Sequence, residues 1–120
     1  MTAGVYNSRI EQGSRWVRVL TIKDADNVAI DITTWLFYMQ IKSNFFSEDV
    51  LINLAIDSGI ELTDPENGQL TITITDEQSA ELTANQKLVY DLFVDDGGSG
   101  GLIKYLAGSL TVDPRVTINE

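Results

Sequence analysis

Oxygen donors crowd one short stretch of this 120-residue chain, where Asp24, Asp26, Asn27 and Asp31 fall close together. Hard oxygen ligands at alternate positions can hold calcium. The stretch lacks the glycine and the distal glutamate of an EF-hand, so an Asx-rich turn is the plainer reading. Asp95 and Asp96, next to Gly97-Gly98-Ser99-Gly100-Gly101, form a second candidate cation site. Its plainer reading is the tip of a solvated hairpin. The same glycine run is no phosphate cradle, because the lysine and helix that complete a P-loop do not follow it. Two carboxylates can hydrolyse a glycosidic bond when they flank a sugar cleft about 5–10 Å apart. Eighteen acidic residues supply such pairs by chance, and no spacing here selects one. The chain has no histidine and no cysteine. The commonest general base, the commonest transition-metal ligand and every thiolate site are thereby excluded. No catalytic residue, metal ligand or cofactor is expected.

Binding residues are easier to find. Trp16, Trp35, Tyr6, Tyr38, Tyr90 and Tyr105 could line a sugar platform. Trp35 and Tyr90 fall at inward strand positions, where core packing is the default. Tyr38 and Tyr105 fall on the opposite face and are the better candidates. Phe45 and Phe46 sit inside Ser43-Asn44-Phe45-Phe46-Ser47-Glu48-Asp49, where polar loop residues are expected. One of the pair can cap the end of the fold while the other meets a partner. Val5 and Tyr6 lie in a segment, residues 1–8, with too few apolar residues to fold alone. It reads as a flexible arm, disordered or ordered against a neighbouring subunit. The candidate protein interface is therefore Val5, Tyr6, Tyr38, Phe45, Phe46 and Tyr105.

Charge narrows the partners. Eighteen acidic and eight basic residues leave a net charge of −10. That surplus repels phosphate backbones, so a nucleic-acid partner is not expected. It favours solubility and keeps free copies apart. No apolar run approaches the roughly 20 residues of a membrane span. The opening residues, MTAGVYNSRIEQG, lack an apolar signal core. A soluble product made in the cytoplasm, with no membrane partner, is the expectation.

The elements that must position these residues are strands. Apolar residues recur at period two, and valine, isoleucine, threonine and aromatics dominate the runs. Residues 15–23 put Trp16, Leu20 and Ile22 on one face and Val17 and Val19 on the other. Arg18 falls in the first set, which leaves the buried face open. A turn at 24–27 follows, with Asn27 suited to positive φ, and then a short extended piece at 28–32. Residues 35–42 put Trp35, Phe37, Met39 and Ile41 on one face and Leu36, Tyr38, Gln40 and Lys42 on the other. Residues 50–57 alternate cleanly, with Val50, Ile52, Leu54 and Ile56 inward. A short strand at 60–62 precedes the turn Asp64-Pro65-Glu66-Asn67-Gly68. Residues 69–75 follow, with Leu70, Ile72 and Ile74 inward. Asp76 is placed to N-cap a short helix running to about residue 84, with Leu82 docking it on the core. Residues 87–95 put Leu88, Tyr90, Leu92 and Val94 inside, and 102–112 close the fold before Asp113-Pro114. Residues 6–12 can add an edge strand. About seven strands with turns at short intervals make an all-β, antiparallel, immunoglobulin-like β-sandwich with one short helix in a connection. A barrel is the structural alternative. One domain, 9–120, follows the arm at 1–8.

The order of several pieces resembles a known group. Ile10-Glu11-Gln12-Gly13-Ser14 leads into a strand, and Asp24-Ala25-Asp26-Asn27 precedes Ile30-Asp31-Ile32-Thr33. Met39-Gln40-Ile41-Lys42 comes next, and later Asp76-Glu77-Gln78-Ser79-Ala80-Glu81-Leu82. Val89-Tyr90-Asp91-Leu92 and Leu106-Ala107-Gly108-Ser109-Leu110-Thr111-Val112 complete the series. Over about residues 9–118 the chain resembles small β-sandwich proteins of tailed bacteriophages. Related modules form the N-terminal anchoring domain of baseplate upper proteins and occur beside tail fibres. Asn27 stands where those modules usually carry glycine. They also carry a receptor-binding part behind them, whereas this chain stops at Glu120. The resemblance implies a virion structural protein: a free-standing adaptor, neck, tail, baseplate or decoration component. It implies docking to other virion proteins in a symmetric multi-copy assembly. A carbohydrate-binding β-sandwich module is the alternative.

Overall fold

The computed structural model describes residues 4–44, 46–98 and 101–114. Among these the chain is all-β. Its strands are β1 (Gly4–Val5), β2 (Ser8–Glu11), β3 (Trp16–Thr21), β4 (Leu36–Lys42), β5 (Val50–Ile56), β6 (Gly59–Asp64), β7 (Gln69–Ile74), β8 (Lys87–Asp95) and β9 (Ile103–Asp113). They form one sheet in the order β1-β9-β8-β4-β5-β6-β7-β3, and β2 pairs farther along β9. Most pairings are antiparallel, but β1 and β2 run parallel to β9, and β5 meets β6 in a short parallel step. The edge strand expected at 6–12 is β2, and β1 adds a further short strand that was not expected. The expected strand at 28–32 reduces to one isolated bridge, Lys23 to Ala29.

Alternation decides the packing. In β4, Phe37, Met39 and Ile41 are buried while Leu36, Tyr38 and Gln40 are exposed. In β8, Leu88, Tyr90, Leu92 and Val94 are buried. In β7 the buried set is Leu70, Ile72 and Ile74, with threonines between them. β3 buries the face that carries Trp16, Arg18 and Leu20 and turns Val17 and Val19 outward. All these apolar side chains belong to a single cluster. Strands from both ends of the sheet order supply this cluster, β3, β7 and β6 as well as β9, β8 and β4, so the sheet curves around one core. The β5–β6 connection is a tight turn in which Asp57 takes φ 66° and Gly59 φ 97°. Each fully buried side chain of this size stabilises by roughly 1.5–3 kcal/mol.

The helix is shorter than its sequence suggested. It spans Asp76–Ala80, and Thr75 is the N-cap in place of Asp76. The Thr75 hydroxyl accepts from the Gln78 amide at 3.1 Å, and the Gln78 side chain accepts from the Thr75 amide at 2.9 Å. This reciprocal capping box starts the helix one residue earlier than a lone aspartate would. Leu82 is buried as expected, beyond the helix end. Trp35 is half-buried and packs on the core beside Phe37.

From Gly4 onward, the stretch expected as an arm lies along β9. Ile10 is buried beside Val112, and the Tyr6 amide donates to the Ala107 carbonyl at 2.9 Å. Asn7 Oδ1 accepts from the Ser109 amide at 3.0 Å. The Tyr6 carbonyl fits over Gly108, where a Cβ would collide with it, and accepts from the buried Tyr90 hydroxyl. Gly108→Val is expected to displace this strand and cost about 1–3 kcal/mol, read as a lower melting temperature. Burial foremost, and then the Tyr6 phenol, push the Tyr90 hydroxyl from 10.0 up to about 12. The folded chain keeps it neutral where the unfolded chain ionises. The stability this contributes is complete below pH 10 and is lost as pH rises through about 12. Tyr90→Phe is expected to flatten that alkaline decline in melts collected across the same window.

Candidate functional site

The outer face of β4, β5 and β8 carries a concavity. Alternation that buries Phe37, Met39 and Ile41 forces Tyr38, Gln40 and Lys42 outward. Pairing then aligns neighbours across the sheet. Tyr38 stands opposite Ala55 on β5 and Phe93 on β8. Gln40 stands opposite Asn53 and Asp91. Tyr38 and Phe93 of the first row and all of the second, with Val89 and Leu102, line this concavity of about 520 Å³. Tyr38 is 38 % exposed. Lys104 Nζ lies 5.7 Å from the centre of the Phe93 ring and 3.9 Å from an Asp91 oxygen. The surface thus offers an aromatic pair beside a row of two amides and a carboxylate.

A second surface lies beyond the Lys42 end of β4. Phe46 is 95 % exposed. Its amide donates to Asn44 Oδ1 at 3.0 Å, and the Asp49 amide donates to Ser47 Oγ at 3.2 Å. The loop therefore holds the ring in water by its own hydrogen bonds. Val50, expected inward, is exposed together with Leu51 at the start of the next strand, so the alternation of β5 begins only at Ile52. Leu51 also borders a depression of about 320 Å³ shared with Ser43, Gln78 and Thr83.

The sequence-derived candidates divide between places. Tyr38 and Phe46 stand exposed on these two surfaces. Phe45 lies outside the described residues. Tyr105 is half-buried and packs against the core, which corrects its assignment to the outer face. A register shift between Leu92 and Phe93, opposite Lys104 and Leu106, sets Tyr105 apart as the extra residue and breaks the period-two count. Val5 is 77 % exposed on β1. The Tyr6 hydroxyl accepts from Arg18 Nε at 3.3 Å, and this bond foremost lowers its pKa. Phe93, Asn53, Gln40 and Asp91 were not singled out from sequence. Their outward positions were readable from alternation, but their adjacency needed the strand pairing.

The acidic loops serve their own turns. Asp24 Oδ1 accepts from the Asp26 and Val28 amides at 2.9 and 3.0 Å. Asp31 Oδ1 accepts from the Thr33 amide at 2.9 Å and from its hydroxyl, and these bonds lower the Asp31 pKa. Asp95 and Asp96 accept from the amides of Gly97 and Gly98. Asn27 takes φ 63°, as its turn requires. Among the described residues no group of three or more acidic side chains is placed to hold a metal ion.

No family model matches this chain. No curated protein matches it either. Among solved structures, a chain from a photo-crosslinking analysis of multimeric cell-adhesive interactions of VGSC beta subunits is 13 % identical. The alignment covers 96 % of each chain with a TM-score of 0.46, too slight a likeness to carry a function across. Because the loop carboxylates already accept backbone hydrogen bonds, melting temperatures in calcium and in chelator are expected to coincide. A calcium-dependent rise would assign one of these loops to the ion.

Proposed function

We propose that this chain is a bacteriophage virion structural protein, an adaptor, neck, tail, baseplate or decoration component that works by docking to other virion proteins. It is not an enzyme in this reading, and it belongs to the assembled particle. The fold proposed with it is an immunoglobulin-like sandwich. In that arrangement one layer holds β9, β8, β4 and β5 and the other holds β3, β7 and β6. The strand order supports it, since β9-β8-β4-β5 and β6-β7-β3 follow the sequence order of strands G-F-C-C′ and D-E-B in a variable-type immunoglobulin domain. What supports docking is Phe46. A phenylalanine held almost wholly in water gains nothing for the monomer, whereas burial against a partner stabilises by roughly 1.5–3 kcal/mol. Exposed Val50 and Leu51 extend the apolar surface nearby. The net charge of −10 keeps unassembled copies apart, so association waits for a complementary partner. The resemblance of residues 9–118 to phage β-sandwich proteins supplies the virion context.

The test uses particles released from the source culture. Mass spectrometry is expected to find the chain in purified virions in many copies. Phe46→Ser should leave the melting temperature within the narrow range of surface substitutions, about ±0.5 kcal/mol in stability. It should also weaken incorporation by an order of magnitude or more, as losing a buried aromatic anchor does. Particles that lack the wild-type chain would overturn the reading.

A further inference from the structure

We propose that the concavity on the outer face of β4, β5 and β8 binds saccharide, with Tyr38 as the platform and Asn53, Gln40 and Asp91 as hydroxyl partners. The register sets these three polar residues side by side across three strands, with Tyr38 two residues from Gln40 on the same face. Same-face positions on a strand lie about 6.8 Å apart, close to the width of one pyranose ring. A pyranose presents a face of C–H bonds and a rim of hydroxyls. The C–H face carries slight positive charge and is drawn to the negative face of an aromatic ring. Each hydroxyl both donates and accepts. The two amides also do both, while the carboxylate accepts only, so the row can meet hydroxyls in either sense.

The surroundings favour this ligand over a protein surface. The centre of a protein interface is depleted of charge and enriched in apolar groups. Here Gln40 and Asp91 pair across the lining of the concavity, and Lys104 stands 3.9 Å from the Asp91 carboxylate. The volume, about 520 Å³, has room for more than one sugar ring. Phe93, directly opposite Tyr38, closes the side of the concavity, with Lys104 Nζ over its ring at 5.7 Å. The site shares no residue with the Phe46 surface and does not rest on the docking reading.

The experiment titrates the full chain, labelled with nitrogen-15, with the methyl glycosides of glucose, galactose, mannose and N-acetylglucosamine. Concentrations reach about 50 mM, which covers the millimolar affinities of single-ring ligands. At least one sugar is expected to give saturable shifts centred on the amides of Tyr38, Gln40, Asn53 and Asp91. Tyr38→Ala and Asn53→Ala should each weaken that binding about tenfold or more while the chain keeps its melting temperature. Phe46→Ser should leave it unchanged. Absence of saturable shifts with all four sugars would overturn the proposal. So would shifts centred elsewhere, or shifts that survive Tyr38→Ala.

Discussion

Each of the longer strands carries one apolar face, and a single core must take them all. That constraint shapes the rest of the molecule. A flat sheet of this kind would leave one side greasy in water. Curving the sheet brings the buried residues of β3, β7 and β6 together with those of β9, β8 and β4 in one cluster. The outward face of each strand is released from packing and is free to carry other chemistry. Threonines occupy it on β7, whereas β4 and β8 present Tyr38, Gln40, Asp91 and Phe93.

Folding a sheet leaves a seam, since β3 ends the ladder on one side and β1 on the other. Side chains close it here. Trp16 Nε1 donates to the Arg9 carbonyl at 3.1 Å, joining β3 to β2. Arg18 lays its guanidinium over the Trp16 ring, 4.6 Å from its centre, and donates to Ser8 Oγ at 3.2 Å and to the Tyr6 hydroxyl. Such stacking keeps a charge stable at a half-buried position without a carboxylate beside it. An inward-pointing charge also discourages another chain from pairing with the β3 edge. The N-terminal strand thus completes the core and, with Arg18, guards the seam.

The two exposed surfaces differ in chemistry. Around Phe46 a loop holds one exposed aromatic ring among polar side chains, with exposed Val50 and Leu51 at the start of β5 nearby. Such a surface can adapt to a protein partner and gains free energy chiefly by losing water. The concavity around Tyr38 is built on three paired strands, so its polar row is held at fixed spacing. Fixed polar spacing suits a small hydroxylated ligand, whose orientation is set by hydrogen bonds. The protein can carry both because they occupy different parts of its surface.

Much of the fold was legible in the residues. Period-two alternation located the strands from β3 to β9, and the turn chemistry of Asn27 and of residues 64–68 placed connections correctly. Apolar side chains leave water wherever the chain runs, so their spacing alone marks the buried face. Three features escaped because they depend on a partner far away in the chain. Residues 1–8 hold too few apolar side chains to fold alone, yet from Gly4 onward Gly108 and Ser109 of β9 and Tyr90 of β8 offer a seat. Tyr105 was misassigned because one extra residue in β9 reverses the alternation, and that extra residue is defined only against β8. The row of Asn53, Gln40 and Asp91 exists only through strand register. Spacing along one chain determines which side of a strand each residue takes; pairing between strands decides which residues become neighbours, because those contacts form through hydrogen bonds between segments distant in sequence.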